Sequence, residues 1–316
     1  MSDINTTSHE ITDNRNGPTV PMKLGAIFPS TEIDPTPEAI RRYASGIERV
    51  GGEQIVLYDH ILGAGLSTRP DFQGPFNSAH VFHEIFTTMA FMSAVTERVT
   101  LSTGILVLPQ RQTALVAKQA AQVDLLSGGR LRLGVGVGWN RLEYEGQGED
   151  FGSRGKRFED QVPLLRQLWS QPEVTYSSGY HNIDDAGINP LPVQRPIPIW
   201  LGTSNPRLLD RVARIADGWM PGSNDVDEVE PEWQELQALR ADLHPDDPLG
   251  LEGHLKLRDY DESAWVTQAE RWREIGASSL CMITTGLGLG SDADAHVERF
   301  ASVSKLVNRS QTNVTS

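Results

Sequence analysis

From Lys23 to Val307 the chain repeats one beat: a short apolar run, then a segment with helical spacing. The runs Lys23–Phe28, Gln54–Tyr58, Val99–Leu108, Arg130–Val137, Ile197–Leu201, Gly218–Met220, Leu251–Leu257 and Ser279–Thr284 read as strands. They are continuous rather than alternating, as strands of a parallel sheet covered on both faces must be. Helices are expected over Pro37–Val50, Val81–Val95, Thr113–Leu126, Gly155–Trp169, Pro206–Ala216, Glu228–Leu243, Glu262–Ile275 and Ala293–Val307. A strand followed by a helix, eight times over, predicts an α/β protein of the (β/α)8, TIM-like barrel class. An open doubly wound sheet is the rival. Both folds gather ligands at the C-terminal ends of their strands, so the site reading survives either closure.

The expected organisation is an irregular polar leader over 1–21, one barrel domain over 22–307 and a flexible tail over 308–316. Residues 139–195, after the fourth strand, form an insertion. The 316 residues carry 42 acidic and 28 basic side chains, a formal charge of −14. That balance argues against nucleic acid or an anionic membrane as partner, while leaving room for a local basic pocket. A single cysteine, Cys281, allows no internal disulfide and suits a reducing, cytoplasmic compartment. No apolar run reaches the roughly 18 residues of a membrane span.

Chemistry is expected at the strand ends. Tyr58-Asp59-His60 places a carboxylate and an imidazole at the tip of the second strand, where barrel side chains face the mouth. The plain alternative is that Asp59 caps the loop and His60 packs on it. Thr103-Gly104-Ile105 interrupts the third strand, a pattern that marks a bulge or a ligand close to backbone. Gly134, Gly136 and Gly138 alternate along the fourth strand before Trp139, so one face lacks side chains and could receive a flat ring. Crowding inside a barrel would also select small residues there. Gly202-Thr203-Ser204-Asn205-Pro206 starts a helix with hydroxyls and free N–H groups, an anion site or a plain cap, with Arg207 nearby. The basic run Gly152–Arg157 could hold an anionic tail at the barrel mouth, but the favoured reading is a solvated helix start balanced by Glu149, Asp150, Glu159 and Asp160. His80 and His83 lack a third ligand and are not read as a metal site.

Taken together, Leu108–Asp160 with LSGGRLRLGVGVGW inside it, Pro196–Pro221 and the YDH segment resemble the bacterial luciferase-like monooxygenase superfamily. The likeness is greatest to its oxidoreductases dependent on the deazaflavin coenzyme F420. The resemblance implies a TIM-like barrel with an insertion after strand four, a homodimer, and a flavin or deazaflavin at the mouth. It implies a non-prolyl cis peptide at Gly104–Ile105 beneath the ring, contact of Asp59 with the cofactor, His60 facing the substrate, and phosphate near Gly202, Thr203 and Ser204. Thr103, Gly136, Val137, Gly138 and Trp139 complete the expected cofactor set, with Trp139 and Phe28 as apolar walls. The 61–79 loop and the insertion are expected to close over the mouth.

Two departures narrow the reading. Sugar-phosphate dehydrogenases of the family carry a catalytic Glu where Trp139 stands. Light-emitting members carry an Arg near that place for the FMN phosphate. The expected function is therefore F420-dependent hydride transfer to or from a small organic substrate, with His60 polarising or protonating it. The alternatives are an FMN-dependent monooxygenase, fed reduced FMN by a partner reductase and using oxygen, and a non-catalytic flavin-binding protein.

Overall fold

A computed structural model describes residues 21–72 and 74–314, so the expected leader lies almost wholly outside the described residues. Strands β1 (Lys23–Ile27), β2 (Gln54–Leu57), β3 (Thr100–Thr103), β4 (Leu106–Val107) and β5 (Leu131–Gly136) are followed by the pair β6 (Val174–Ser177) and β7 (Asn182–Ala186). Next come β8 (Ile199–Thr203), β9 (Gly218–Pro221), β10 (Gly250–Lys256) and β11 (Ser279–Ile283). All but β6 and β7 form one parallel sheet in the order β3-β2-β1-β11-β10-β9-β8-β5-β4, and a further pairing of β3 with β5 closes it. That closing pairing, Leu101 with Leu131 and Ser102 with Arg132, decides for the barrel over the open sheet. The expected third strand is broken at Gly104–Ile105, so β3 and β4 are two halves of one barrel position and the barrel has eight staves.

The helices are α1 (Pro37–Arg49), α2 (Ile85–Ser93), α3 (Thr113–Ser127), α4 (Arg141–Gly146), α5 (Arg154–Ser170), α6 (Leu209–Ile215), α7 (Val226–Leu243), α8 (Glu262–Glu274) and α9 (Ala293–Val314). In α1 the side chain of Thr36 accepts from Ala39 N at 3.2 Å, and Pro37 opens the first turn. Its apolar stripe of Ala39, Tyr43, Ala44 and Ile47 is buried, and Gly46 lies against Val297 of α9. The last helix continues past Val307 to Val314, so 308–314 extend α9 rather than forming a separate tail. Among the described residues no helix is long and apolar enough to cross a membrane.

The barrel interior is layered. At the bottom lies a polar layer of Gln54, Ser102, Arg132, Glu252 and Ser279, all buried. Above it Ile27, Val56, Trp200, Met220, Cys281 and Ile283 pack together, with Tyr58 and Ile105 partly buried against them. Phe28 points the other way, into the shell between barrel and helices, where its ring meets Tyr43 edge-on at 5.3 Å. It is therefore no wall of the mouth.

The insertion holds α4, α5 and the antiparallel β6–β7 hairpin. Buried Asp124 anchors its return by accepting from Gln194 N at 2.9 Å and Gln194 Nε2 at 2.7 Å. The hairpin is tied down through His181, which links Asp160 at 2.6 Å to Thr113 at 2.6 Å. This copies the bond order of a hydrolase triad. Thr113 is buried, however, and also accepts from Gln161 at 3.0 Å, so its hydroxyl serves as a clamp.

Gly134 shows how tightly β5 is packed. A Cβ built there would lie 2.0 Å from the Thr103 carbonyl oxygen and 2.7 Å from Met220 Sδ. The first obstacle is backbone and cannot rotate aside. Gly134→Ala is expected to cost about 1–3 kcal/mol, read as a lower urea midpoint with an unchanged slope.

Candidate functional site

At the C-terminal mouth opens a cavity of about 760 Å³, within the size range of small-molecule and cofactor sites. Asp59, His60, Gly104, Ile105, Gly136, Val137, Gly138, Trp139, Gly202, Thr203 and Ser204 all line it. Of the residues expected there Phe28, packed outside the barrel, and Thr103 do not. Thr103 is fully buried, and its hydroxyl donates to the Gly134 carbonyl at 2.5 Å, which places it behind the wall.

The glycine floor expected on β5 is not bare. Thr103 and Met220 fill the space at Gly134, Ile105 fills it at Gly136, and Val107 fills it at Gly138. The Ile105 side chain also occupies the space beside Gly202, where an added Cβ would stand 2.5 Å from its Cγ2. Gly136 and Gly202 thus make a seat for Ile105. The peptide Gly104–Ile105 is cis and non-prolyl, as the resemblance implied. The surface offered to a flat ring is Ile105 with Val137 and Met220, rather than an empty strand face.

Asp59 lines the cavity with its carboxylate already engaged. Oδ1 accepts from Arg111 Nη2 at 2.7 Å, while Oδ2 accepts from Arg111 Nε at 3.3 Å and Val107 N at 3.1 Å. It ties the tip of β2 to β4 and so fixes the backbone beside Ile105.

His60 stands in an aromatic cage. Its ring lies 4.9 Å from Phe76, 4.8 Å from Phe82 and 6.1 Å from Trp139, centroid to centroid. Nδ1–H donates to Glu143 Oε1 at 3.3 Å. Glu143, on α4, also accepts from Ile61 N at 2.8 Å and Leu62 N at 3.3 Å, which pins the start of the 61–79 loop. Burial pushes the Glu143 carboxyl up, but His60 and these two N–H groups outweigh it and hold the group below the usual carboxylate range. Its stabilising share is therefore present above that range and lost as pH falls through the lowered value.

Arg154 and Arg211 line the cavity, as do Thr203, Ser204 and Asn205, and Arg211 Nε donates to Glu159 Oε1 at 2.9 Å. Arg154 Nε is buried without a hydrogen-bond partner. The N-terminus of α5, to which Arg154 belongs, has no side-chain cap. Just ahead of this N-terminus the Asp150 carboxylate accepts from Gly152 N at 3.0 Å and Ser153 N at 2.8 Å, and an anion in the cavity would meet the first turn beside it. The basic run reads as a solvated helix start balanced by acids; Arg157 does pair with Glu149, but both side chains are largely buried. Arg154 lines the cavity, with its Nη1 donating to the Phe151 carbonyl at 2.7 Å and its guanidinium over the Phe151 ring at 3.7 Å. Arg207 is exposed and does not line it. At the β8 loop the capping side chain is Asn205, accepting from Arg207 N at 3.2 Å, while Thr203 and Ser204 remain at the cavity.

The sequence reading missed Glu143, Arg211, His254, Lys256 and Phe76, and weighed Arg154 as an anion holder only behind a solvated helix start. Asn140 followed by Glu143 has the spacing of a helix start and could have revealed α4, whose first turn Asn140 caps at Leu142 N, 3.2 Å. The alternation Glu252, His254, Lys256 on β10 was a second usable signal.

Residues 16–310 match the model of the luciferase-like monooxygenase family. The chain belongs to that family. An uncharacterised protein of Mycobacterium tuberculosis is 36% identical over 182 residues, 58% of this chain and 62% of that protein. The alignment thus spans about three fifths of the relative's own length. An FMNH(2)-dependent dimethylsulfone monooxygenase of Pseudomonas fluorescens is 30% identical over 162 residues, 50% of this chain and 44% of that one. Among solved structures, an F420-dependent secondary alcohol dehydrogenase in complex with an F420-acetone adduct superposes with a TM-score of 0.71 at 17% identity, covering 91% of this chain and 99% of that one. At that identity the likeness speaks for the fold.

Proposed function

We propose that the protein is an F420-dependent oxidoreductase that transfers a hydride to or from a small organic substrate. The observation that carries this reading is the Glu143-backed His60, caged by aromatic rings on the same cavity that holds the Ile105 platform and Arg154. Ile105, Val137 and Met220 would hold the face of the ring. Arg154, Thr203, Ser204 and the α5 N-terminus would hold the phosphate-bearing tail.

When bound, F420 supplies a carbon that accepts or donates a hydride. The chain's own task is alignment, water exclusion and proton handling. Phe76, Phe82 and Trp139 keep water from the His60 ring, and Glu143 fixes which nitrogen carries the proton. Nε2 is then free to donate to, or accept from, a substrate oxygen as the hydride moves.

A second reading, an FMN-dependent monooxygenase, is supported by the likeness to the dimethylsulfone enzyme. Fluorescence titration with F420 and with FMN separates the two, followed by oxygen uptake with the reduced forms. Binding of F420 without oxygen uptake is expected. Tight binding of FMN alone, with oxygen consumed, would replace the first reading by the second. Arg154→Ala is expected to weaken the bound cofactor about 10- to 100-fold, the size of one lost charge-assisted hydrogen bond. An unchanged Kd would remove Arg154 from the phosphate site.

A further inference from the structure

His60 is not the only carboxylate-backed histidine on the cavity. His254, on β10, forms part of the wall, and its Nε2–H donates to Glu252 Oε1 at 2.9 Å. Glu252 is fully buried and is held by Arg132, by Gln54 Nε2 at 2.7 Å and by Ser279 Oγ at 3.4 Å. Burial pushes its carboxyl up, yet Arg132 and His254 outweigh burial and bring it down to about 2, so it stays ionised.

A permanent carboxylate on Nε2 fixes the tautomer of His254. Nδ1 is left to face the cavity, an acceptor when the ring is neutral and a donor when it is charged. The surroundings sharpen this role. Lys256, one alternation further along the same strand face, also lines the cavity. Cys281 stands opposite His254 in the β10–β11 register, and burial pushes its thiol well up, with Glu252 adding to the rise. Burial likewise raises the phenol of Tyr58, so both neighbours stay neutral. Arg132 is committed to Glu252 and stacks on the Trp200 ring at 4.1 Å. The cations free to meet an occupant on this side are thus His254, when protonated, and Lys256.

We propose that His254 is a second proton-carrying residue of the cavity: it touches the polar edge of the bound ring cofactor and supplies a proton-bearing Nδ1 when that edge becomes anionic on reduction, with Glu252 as its positioning residue. Nδ1 takes up one proton from solvent as the reduced, anionic edge forms, and that proton stays on Nδ1 and neutralises the charge. The inference rests on the cofactor reading above, and divides the cavity between His60 on the substrate side and His254 on the cofactor side.

The test compares wild type and His254→Asn for binding of oxidised and reduced F420, and of oxidised and reduced FMN, across neutral pH. The variant is expected to lose about tenfold in affinity for the reduced form relative to the oxidised one, about 30 mV for a two-electron couple. The pH-dependent step in that ratio, present in wild type, disappears. Nitrogen-15 NMR of the unaltered protein is expected to show His254 Nδ1 protonated with the reduced cofactor and unprotonated with the oxidised one, a readout independent of the variant's folding. Equal losses in both redox states, or a His254 signal indifferent to redox state, overturn the inference alone. Failure of wild type to bind either cofactor overturns the cofactor reading and this inference together.

Discussion

Arg132→Met is expected to cost about 3–5 kcal/mol of folding stability at neutral pH, the range for breaking a buried ion pair from one side. Arg132 and Glu252 meet inside the barrel, where water cannot replace a lost partner. With the guanidinium gone, burial dominates at Glu252, and the carboxyl must take up a proton or remain charged among Gln54, Ser279 and His254. The sign of the pH dependence follows. In the wild type Arg132 and His254 hold the carboxyl well below its ordinary range, so its contribution is present above that range and lost as pH falls through the lowered value. In the variant the deficit is largest at neutral pH and shrinks in acid, where the carboxyl is protonated anyway. Adding Glu252→Gln recovers most of the loss, since it removes the orphaned charge. Urea unfolding at neutral and acid pH checks this, and a single-variant deficit under about 1 kcal/mol contradicts a dry, charged layer.

His60→Ala is expected to lower turnover about 10²- to 10⁴-fold, the range for removing a general acid–base group, while cofactor affinity changes little. The separation comes from geometry. The His60 ring is enclosed by Phe76, Phe82 and Trp139 and backed by Glu143, whereas Arg154 and the ring platform at Ile105 belong to other elements of the cavity. Glu143→Gln is the companion variant. Its amide oxygen still accepts from Ile61 and Leu62, so the loop stays pinned, but the charge facing His60 is gone. The pH–rate profile should shift its acid limb, because a charged imidazole is then less favoured. Parallel loss of cofactor binding in His60→Ala would instead make His60 a cofactor ligand. Unchanged turnover would favour a non-catalytic flavin-binding role.

The barrel was legible because parallel strands buried on both faces leave unbroken apolar runs, and each run was followed by a helix stop. Closure was not legible, since pairing of Leu101 with Leu131 depends on how the sheet curls. The cis peptide at Gly104–Ile105 came from family likeness, and no local propensity would have located it. For the glycines of β5 the sequence offered both a flat ring and interior crowding, and side chains of neighbouring residues fill the space they leave. Spacing shows that a side chain is missing but not that Ile105 fills the gap at Gly136. The His60 partner was overlooked because α4 is only 6 residues long, leaving the spacing of Asn140 and Glu143 as its sequence signal. The polar layer escaped notice because Gln54, Arg132, Glu252 and Ser279 sit on four different strands and meet only once the sheet closes.

The most direct test of the central claim, that this mouth holds a planar redox cofactor on the Ile105 platform, is a crystal structure of the protein soaked with F420 or FMN. The account expects ring density in contact with Ile105 and Val137 and a phosphate within hydrogen-bond reach of Arg154 and the Thr203–Ser204 loop. A cavity without bound ring at saturating cofactor, or a ring bound elsewhere on the protein, would contradict it.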